Sequence, residues 1–201
     1  MKQQQATPHI VGPIGGHAMT GLATAQPAIP AAEFRNAMRH QTCTVAIVAC
    51  GSGSQRAGLT ATAACALSDD PAMVMVCINR NSRVHDAILR CRNFSLNFLS
   101  ADQIGLAETF SGRTGVNGES RFATGSWREL VTGSPVLDGA LASFDCALQS
   151  RHEFATHSVF AGLVCATRFE ERRDPLLYER GQYLTLNRDA AGPSAWRSMT
   201  C

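Results

Sequence analysis

The sequence predicts a mainly β protein, in which antiparallel strands close into a barrel or split barrel with short helices on its flanks. Three observations carry this expectation. The apolar segments are short, rich in Val, Ile, Thr and Phe, and bounded by Gly, Pro, Asn or Asp. Helical spacing of apolar residues occurs in only a few stretches, each of two to three turns. The last third reads as strand and turn throughout, and ALASFDCALQSRHEFATHSVFAGLVCATRFEE forms one long hairpin turning near Ala155. The pattern lacks the alternation of strand and long helix that a doubly wound sheet requires.

The elements follow in order. Residues 1–30 are rich in Gln, Gly, Ala, Thr and Pro without periodicity, and read as a flexible arm before a domain over residues 31–187. After Pro30, AAEFRNAMRH puts Phe34, Ala37 and Met38 on one helical face. Strands are expected over Thr42–Cys50, near Arg56–Thr62, and over Ala72–Asn79. Ser82 can cap a helix over Arg83–Cys91, in which Val84, Ala87, Ile88 and Cys91 share a face. Asn93–Leu99 alternates Phe94, Leu96 and Phe98 with polar residues, the pattern of a strand with one solvent-facing side. Ser100 or Asp102 caps a helix to about Phe110, and residues 111–125 form a long Gly-rich loop. Strands follow over Pro135–Leu137, Ala140–Glu153, His157–Glu170 and Leu176–Leu186, and residues 188–201 read as a tail.

Composition narrows the function. Apolar residues make up 45% and charged residues 17%, the balance of a soluble globular chain. A net charge of +2 gives no footprint for nucleic acid or an anionic membrane. Lys2 is the only lysine, so a bound phosphate would be held by Arg, Ser, Thr or backbone N–H groups. The eight cysteines are scattered, mostly inside apolar runs, with no CxxC pair. They read as buried small hydrophobes in a reducing cytoplasm rather than as disulfides or a metal site. No apolar run approaches the ~20 residues of a membrane span. The segment HIVGPIGGHAM is too broken by Pro13, glycines and histidines for a signal helix.

Four pieces could carry chemistry. Gly58–Ala64 (GLTATAA) holds no side chain larger than Leu, so backbone amides and the Thr60 and Thr62 hydroxyls could meet a flat ring. A strand edge packed under a helix would use the same small residues. Asn79-Arg-Asn-Ser-Arg83 ends a strand and opens a helix flanked by Arg80 and Arg83, which suits an anion as well as ordinary capping. Arg121-Phe122 closes the Gly-rich loop, and His157 sits at the hairpin turn. GSGSQRAG, at 51–58, is not a dinucleotide fingerprint: its third glycine is misplaced and it joins two strands. No nucleophile elbow or metal-ligand spacing is present.

Taken in order, FRNAMRHQTCTVAIVA, GLTATAACALSDDPAMVMVCINRNSRVHDAI, FSLNFLSADQIGLAETFSG, RFATGSW, SPVLDGALASFDC, HSVFAGLV and PLLYERGQY resemble the short-chain flavin reductase family. These are the FMN-binding split-barrel proteins that serve as reductase components of two-component flavin monooxygenases. The resemblance, over about Phe34 to Leu186, implies a Greek-key split β-barrel and a homodimer with flavin sites near the subunit interface. It implies FMN or FAD as cofactor, NADH or NADPH as co-substrate, and a separate monooxygenase as partner. By position, Thr60, Ala61, Thr62 and Ala63 would face the isoalloxazine. Asn79, Ser82 and Arg83 would sit by the ribityl phosphate, with Arg121 and Phe122 closing that end. His157 falls on the histidine of the family's Gly-Asp-His motif near the nicotinamide, and Tyr183 near the same pocket. One departure is that Ala155-Thr156 stands where the family has Gly-Asp.

Overall fold

The computed structural model describes residues 27–186. The expected tail over 188–201 and nearly all of the expected arm over 1–30 lie outside the described residues. Helix α1 spans Ala31–Met38, followed by strands β1 (Cys43–Thr44), β2 (Ala46–Cys50), β3 (Ala57–Ala61), β4 (Ala64–Asp69) and β5 (Ala72–Asn79). Helix α2 (Arg83–Cys91), strand β6 (Asn93–Phe98) and helix α3 (Ile104–Ser111) come next. Strands β7 (Trp127–Glu129), β8 (Pro135–Leu137), β9 (Ala142–Phe154), β10 (His157–Phe169), β11 (Leu177–Glu179) and β12 (Gln182–Leu184) complete the chain.

The main sheet has seven strands in the order β3-β2-β6-β9-β10-β5-β4, and all its pairings are antiparallel. Its two edges, β3 and β4, are successive in the chain and separated only by Thr62 and Ala63. The sheet therefore curls until both edges belong to one bent segment, which is how a split barrel limits open edges. Within it β6-β9-β10-β5 has Greek-key order.

Strand β2 is buried along its whole length because a core lies on each side. Inside the barrel, Ala46, Val48 and Cys50 pack with Val76, Phe94 and Phe160, and α2 plugs one end through Val84, Ala87 and Ile88. Outside it, Ile47 and Ala49 pack with Phe110, Phe122, Leu137 and Leu176. Each fully buried large apolar side chain stabilises the fold by about 1.5–3 kcal/mol. Two close approaches depend on glycine. A Cβ at Gly162 would stand 2.6 Å from the Phe94 ring, and one at Gly58 would stand 2.6 Å from the Phe110 ring. Gly58 thus brings α3 flat against β3, the strand that borders the site.

Several expectations are corrected. The strand expected near Arg56–Thr62 is β3, so most of Gly58–Ala64 is a strand packed under α3, but β4, which starts at Ala64, was not foreseen. Leu176–Leu186 is a short hairpin of β11 and β12 rather than one strand. The loop over 111–125 contains a 3-10 helix at Gly118–Ala123, and β7 follows it. The polar face of β6 is buried, not solvated, because a second layer covers it. There Asn97 Nδ2 donates to the Ile47 carbonyl at 3.1 Å, its Oδ1 accepts from Leu137 N–H at 2.9 Å, and Ser95 donates to the Pro135 carbonyl. Polar alternation here signals backbone groups that need partners. Of the described cysteines only Cys50 and Cys146 are fully buried, and burial pushes both thiols up to about 12; Cys65 and Cys165 are exposed.

Candidate functional site

The Asn79–Arg83 tip is a turn that aims a helix start outward. Asn79 Oδ1 accepts from Asn81 N–H at 2.9 Å, and the Asn79 carbonyl accepts from Ser82 N–H at 3.0 Å. Ser82, extended at φ −80°, caps α2 by accepting from Val84 N–H at 3.1 Å. Arg83 is exposed at the first helical position. The Ser82 hydroxyl and carbonyl take the Val84 and His85 N–H groups. An anion there would be met by the Arg83 N–H, the Ser82 hydroxyl and the helix dipole.

A cleft of about 1030 Å³ opens beside this helix start, lined by Arg56, Gly58, Ser82, Arg83, Arg90 and Arg121 among others. Its lining holds four arginines and one carboxylate, Glu119. Arg56 is paired with Glu119 and lies over the Phe122 ring at 4.8 Å. Arg121 is committed to backbone: it donates to the carbonyls of Val116 at 3.0 Å, Phe110 at 3.0 Å and Gly58 at 3.2 Å. It therefore latches the Gly-rich loop to β3 and α3. Arg83 and Arg90 have no carboxylate partner among the described residues. Two unneutralised guanidiniums on one helix give the cleft a positive field suited to phosphate.

The second part of the site is the break between β3 and β4. Thr62 and Ala63 stand outside both strands and are exposed, while Ala61 is half-buried. The Thr60 hydroxyl donates to the Ala107 carbonyl at 2.7 Å, so it fixes β3 to α3. Thr60, Thr62, Tyr178 and Tyr183 line a smaller cavity of about 170 Å³. The two tyrosine rings are 5.3 Å apart, and Arg113 lies over both. Burial pushes the Tyr183 phenol up from its ordinary value.

His157, exposed, opens β10 directly across from Asn79 of β5. Its Nδ1 is 2.9 Å from the Thr156 hydroxyl. The preceding turn is tied to the 79–83 tip, since Arg80 N–H donates to the Thr156 carbonyl at 2.9 Å and its side chain pairs with Glu153 at 3.3 Å. Ala155 is in the left-handed region at φ 46°.

Asn79, Ser82 and Arg83 are thus gathered at one helix start, with Arg121 across the same cleft and His157 joined through the β5–β10 register. Thr60, Thr62 and Tyr183 meet in the smaller cavity, which His157 does not line. Phe122 is buried between Phe110 and Trp127, with ring centroids 5.1 and 5.0 Å away, and supports the cleft from beneath. Arg56, Arg90 and Tyr178 were not foreseen. Arg90 had a signal, because it lies two helical turns after Arg83 on the same side of α2. Among the described residues, no group of three or more His, Cys, Asp or Glu side chains could hold a metal.

Residues 38–187 match the family described as flavin reductase like domain. The chain belongs to that family. FMN reductase (NADH) RutF 2 of Methylorubrum extorquens is 42% identical over 161 residues, covering 80% of this chain and 92% of the relative. The flavin reductase-like fold is shared with BorF, the flavin reductase component of a bacterial two-component tryptophan halogenase. That match has a TM-score of 0.72 at 29% identity and covers 78% of this chain and 98% of BorF. NADH:FAD oxidoreductase SgcE6 of Streptomyces globisporus, in complex with NAD and FAD fragments, is 25% identical with a TM-score of 0.72. It covers 80% of this chain and 94% of that one.

Proposed function

We propose that this flavin reductase-like protein is an NADH-dependent flavin reductase. The observation that carries the reading is the arginine cleft at the start of α2, with Arg83 and Arg90 unneutralised, in a chain of this family. The donor set fits a flavin phosphate: the Ser82 hydroxyl and the Arg83 N–H and guanidinium lie at one opening, at the positive end of α2. Exposed Thr62 and Ala63, with Ala61 and Thr60 behind them, present short side chains and accessible backbone to the flat ring. Flavin, FMN or FAD, supplies the acceptor N5 for a hydride from C4 of reduced nicotinamide. This chain binds and orients. Ser82 and Arg83 hold the phosphate, Arg121 keeps the loop closed over β3, and His157 positions the nicotinamide. Tyr183 borders the ring end. No proton donor is needed at the hydride step, which agrees with a site built from cap, guanidiniums and one histidine.

The test is NADH oxidation by the purified protein with added FMN or FAD, followed by loss of nicotinamide absorbance. Turnover above the background of free flavin is expected. Oxidation of neither NADH nor NADPH with either flavin would sink the reading.

The working unit is a homodimer. Cys65, Met73, Met75, Val159 and Leu163 share the outer face of β4, β5 and β10, with exposed Leu67 (49%) beside them. No other layer of the described residues packs over that face, and apolar surface of this extent favours a second copy. Met75→Glu is expected to give a monomer in sedimentation analysis; an unchanged dimer would move the interface elsewhere. The likeness to BorF, the reductase component of a two-component halogenase, and to nitrilotriacetate monooxygenase component B supports delivery of reduced flavin to a separate enzyme, here a flavin-dependent monooxygenase. The unpaired described cysteines support a cytoplasmic setting. No helix among the described residues is long and apolar enough to cross a membrane.

A further inference from the structure

His85 is a buried titratable side chain, 5% exposed, to which the reading above assigns no part. It lies in the first turn of α2, and its N–H donates to the Ser82 carbonyl at 3.1 Å, directly behind the anion site. Its ring points the other way. Nε2 is 3.0 Å from the hydroxyl of fully buried Ser158, the residue after His157, and Nδ1 is 3.1 Å from Asp86 Oδ1. The edge of the ring meets Phe160, with centroids 5.2 Å apart. Asp86 as a carboxylate only accepts, so Nδ1 carries a proton. In the neutral ring Nε2 then accepts the Ser158 hydroxyl proton, and no buried side-chain polar atom of His85 or Ser158 lacks a partner.

This arrangement does more than fill a core. Three connections tie the helix start to the hairpin: the Asn79–His157 register, Arg80 on the hairpin turn, and His85 on Ser158. Arg80 and the terminal Asn79–His157 pair are exposed, where water competes and hydrogen bonds contribute least, and the ladder becomes buried at the next pair, Ile78–Ser158. The third is buried, where an unmet partner is costly and geometry is held tightly. Fixing Ser158 fixes the backbone from which His157 projects.

We propose that His85 is a positioning residue: through Ser158 it pins the start of β10 to the first turn of α2, so that His157 and the anion site keep one separation. The proposal deepens the reductase reading, since the fixed separation would match that between a flavin phosphate and the nicotinamide stacked on its ring.

The test uses three variants. His85→Phe keeps a flat ring against Phe160 and removes both polar contacts, Ser158→Ala removes the same bond from the strand side, and His85→Gln can still reach Ser158. The first two are expected to raise the KM for NADH roughly tenfold, with kcat and flavin Kd within about twofold. Their double variant is expected to be no worse than either single one, and His85→Gln is expected to restore most of the loss. An independent readout is the imidazole NMR signals of His157 in the flavin-free protein. They are expected to be sharp in the wild type and His85→Gln, and shifted or broadened in His85→Phe and Ser158→Ala. Thermal melts show which variants are folded; should one fail to fold, the other carries the test. Unmoved His157 signals in a folded variant overturn the proposal whatever the kinetics show, and so does an unchanged KM in an active one. A wild-type protein that oxidises no NADH would end the reductase reading instead, and the NMR signals alone would then decide whether His85 pins the hairpin.

Discussion

At the α2 end of the site, Asn79, Ser82 and Arg83 lie within five residues of each other, and the bonds that shape the turn and cap, Asn79 to Asn81 and Ser82 and Ser82 to Val84, are local; Arg80 reaches across to the hairpin. At the β9–β10 end, His157 stands on an exposed hairpin whose ties to the rest of the protein all span long stretches of sequence. The first end can form wherever the helix forms, because a cap is specified by a few neighbouring residues. The second exists only once the barrel has closed and β5, β10 and α2 have met. An anion site of the first kind tolerates change elsewhere in the fold. A nicotinamide site of the second kind depends on remote packing, and its geometry is the property most easily lost.

The comparison can be broken most sharply at Arg83. It is exposed and has no carboxylate partner among the described residues, so its replacement is expected to leave folding within about 0.5 kcal/mol. Charge-assisted hydrogen bonds are worth about 1.5–3 kcal/mol each, and reversal adds repulsion. Arg83→Glu should therefore weaken flavin binding by about a hundredfold in a fluorescence titration. Unchanged affinity would place the phosphate away from α2. At the other end, His157→Ala should lower kcat/KM for NADH by about tenfold, with flavin affinity unaltered. A loss of flavin affinity there would show that the two ends are not separable. Between these lies Ser82→Ala, which removes the cap. It should cost about 1 kcal/mol of stability and weaken flavin several-fold, read by melting and titration together.

The same contrast explains how much of the protein was legible in its sequence. Strands β2, β5 and β10 and helix α2 were readable because period, cap and turn residues agree locally, and Ser82 does cap α2. The β6 pattern misled: alternation showed that Ser95 and Asn97 face one way, but not that β8 would cover them and use their polar atoms. Small residues at 58–64 suited an open cradle or a strand edge under a helix; the chain there pairs with β2 and then β5, even the Ala63 carbonyl accepts from Cys77 N–H, and Thr62 is left between the strands. The Arg121 side chain was expected beside a phosphate; it is occupied by three carbonyls of Gly58, Phe110 and Val116, partners chosen by the packing of α3. Position in the family pattern located these residues, and only the fold showed what each one holds.

The smallest effect concerns the hairpin turn itself. Ala155 sits at φ 46°, where an L-residue with a Cβ is strained by roughly 1–2 kcal/mol and glycine is not. The strain is met by Arg80, which donates to the Thr156 carbonyl from its backbone and reaches the Ala155 carbonyl at 3.4 Å from its side chain. Glycine at this position relieves the strain but adds freedom to the unfolded chain, so the two effects partly cancel. Ala155→Gly is expected to stabilise the protein by about 0.5–1 kcal/mol, a small rise in melting temperature. Flavin affinity should not change, since the Ser82 cap and Arg83 make no bond to this turn. The KM for NADH should move by no more than about twofold as long as Ser158 still anchors the strand below the turn. A larger change in KM would mean that the turn, rather than the buried bond beneath it, sets where His157 points.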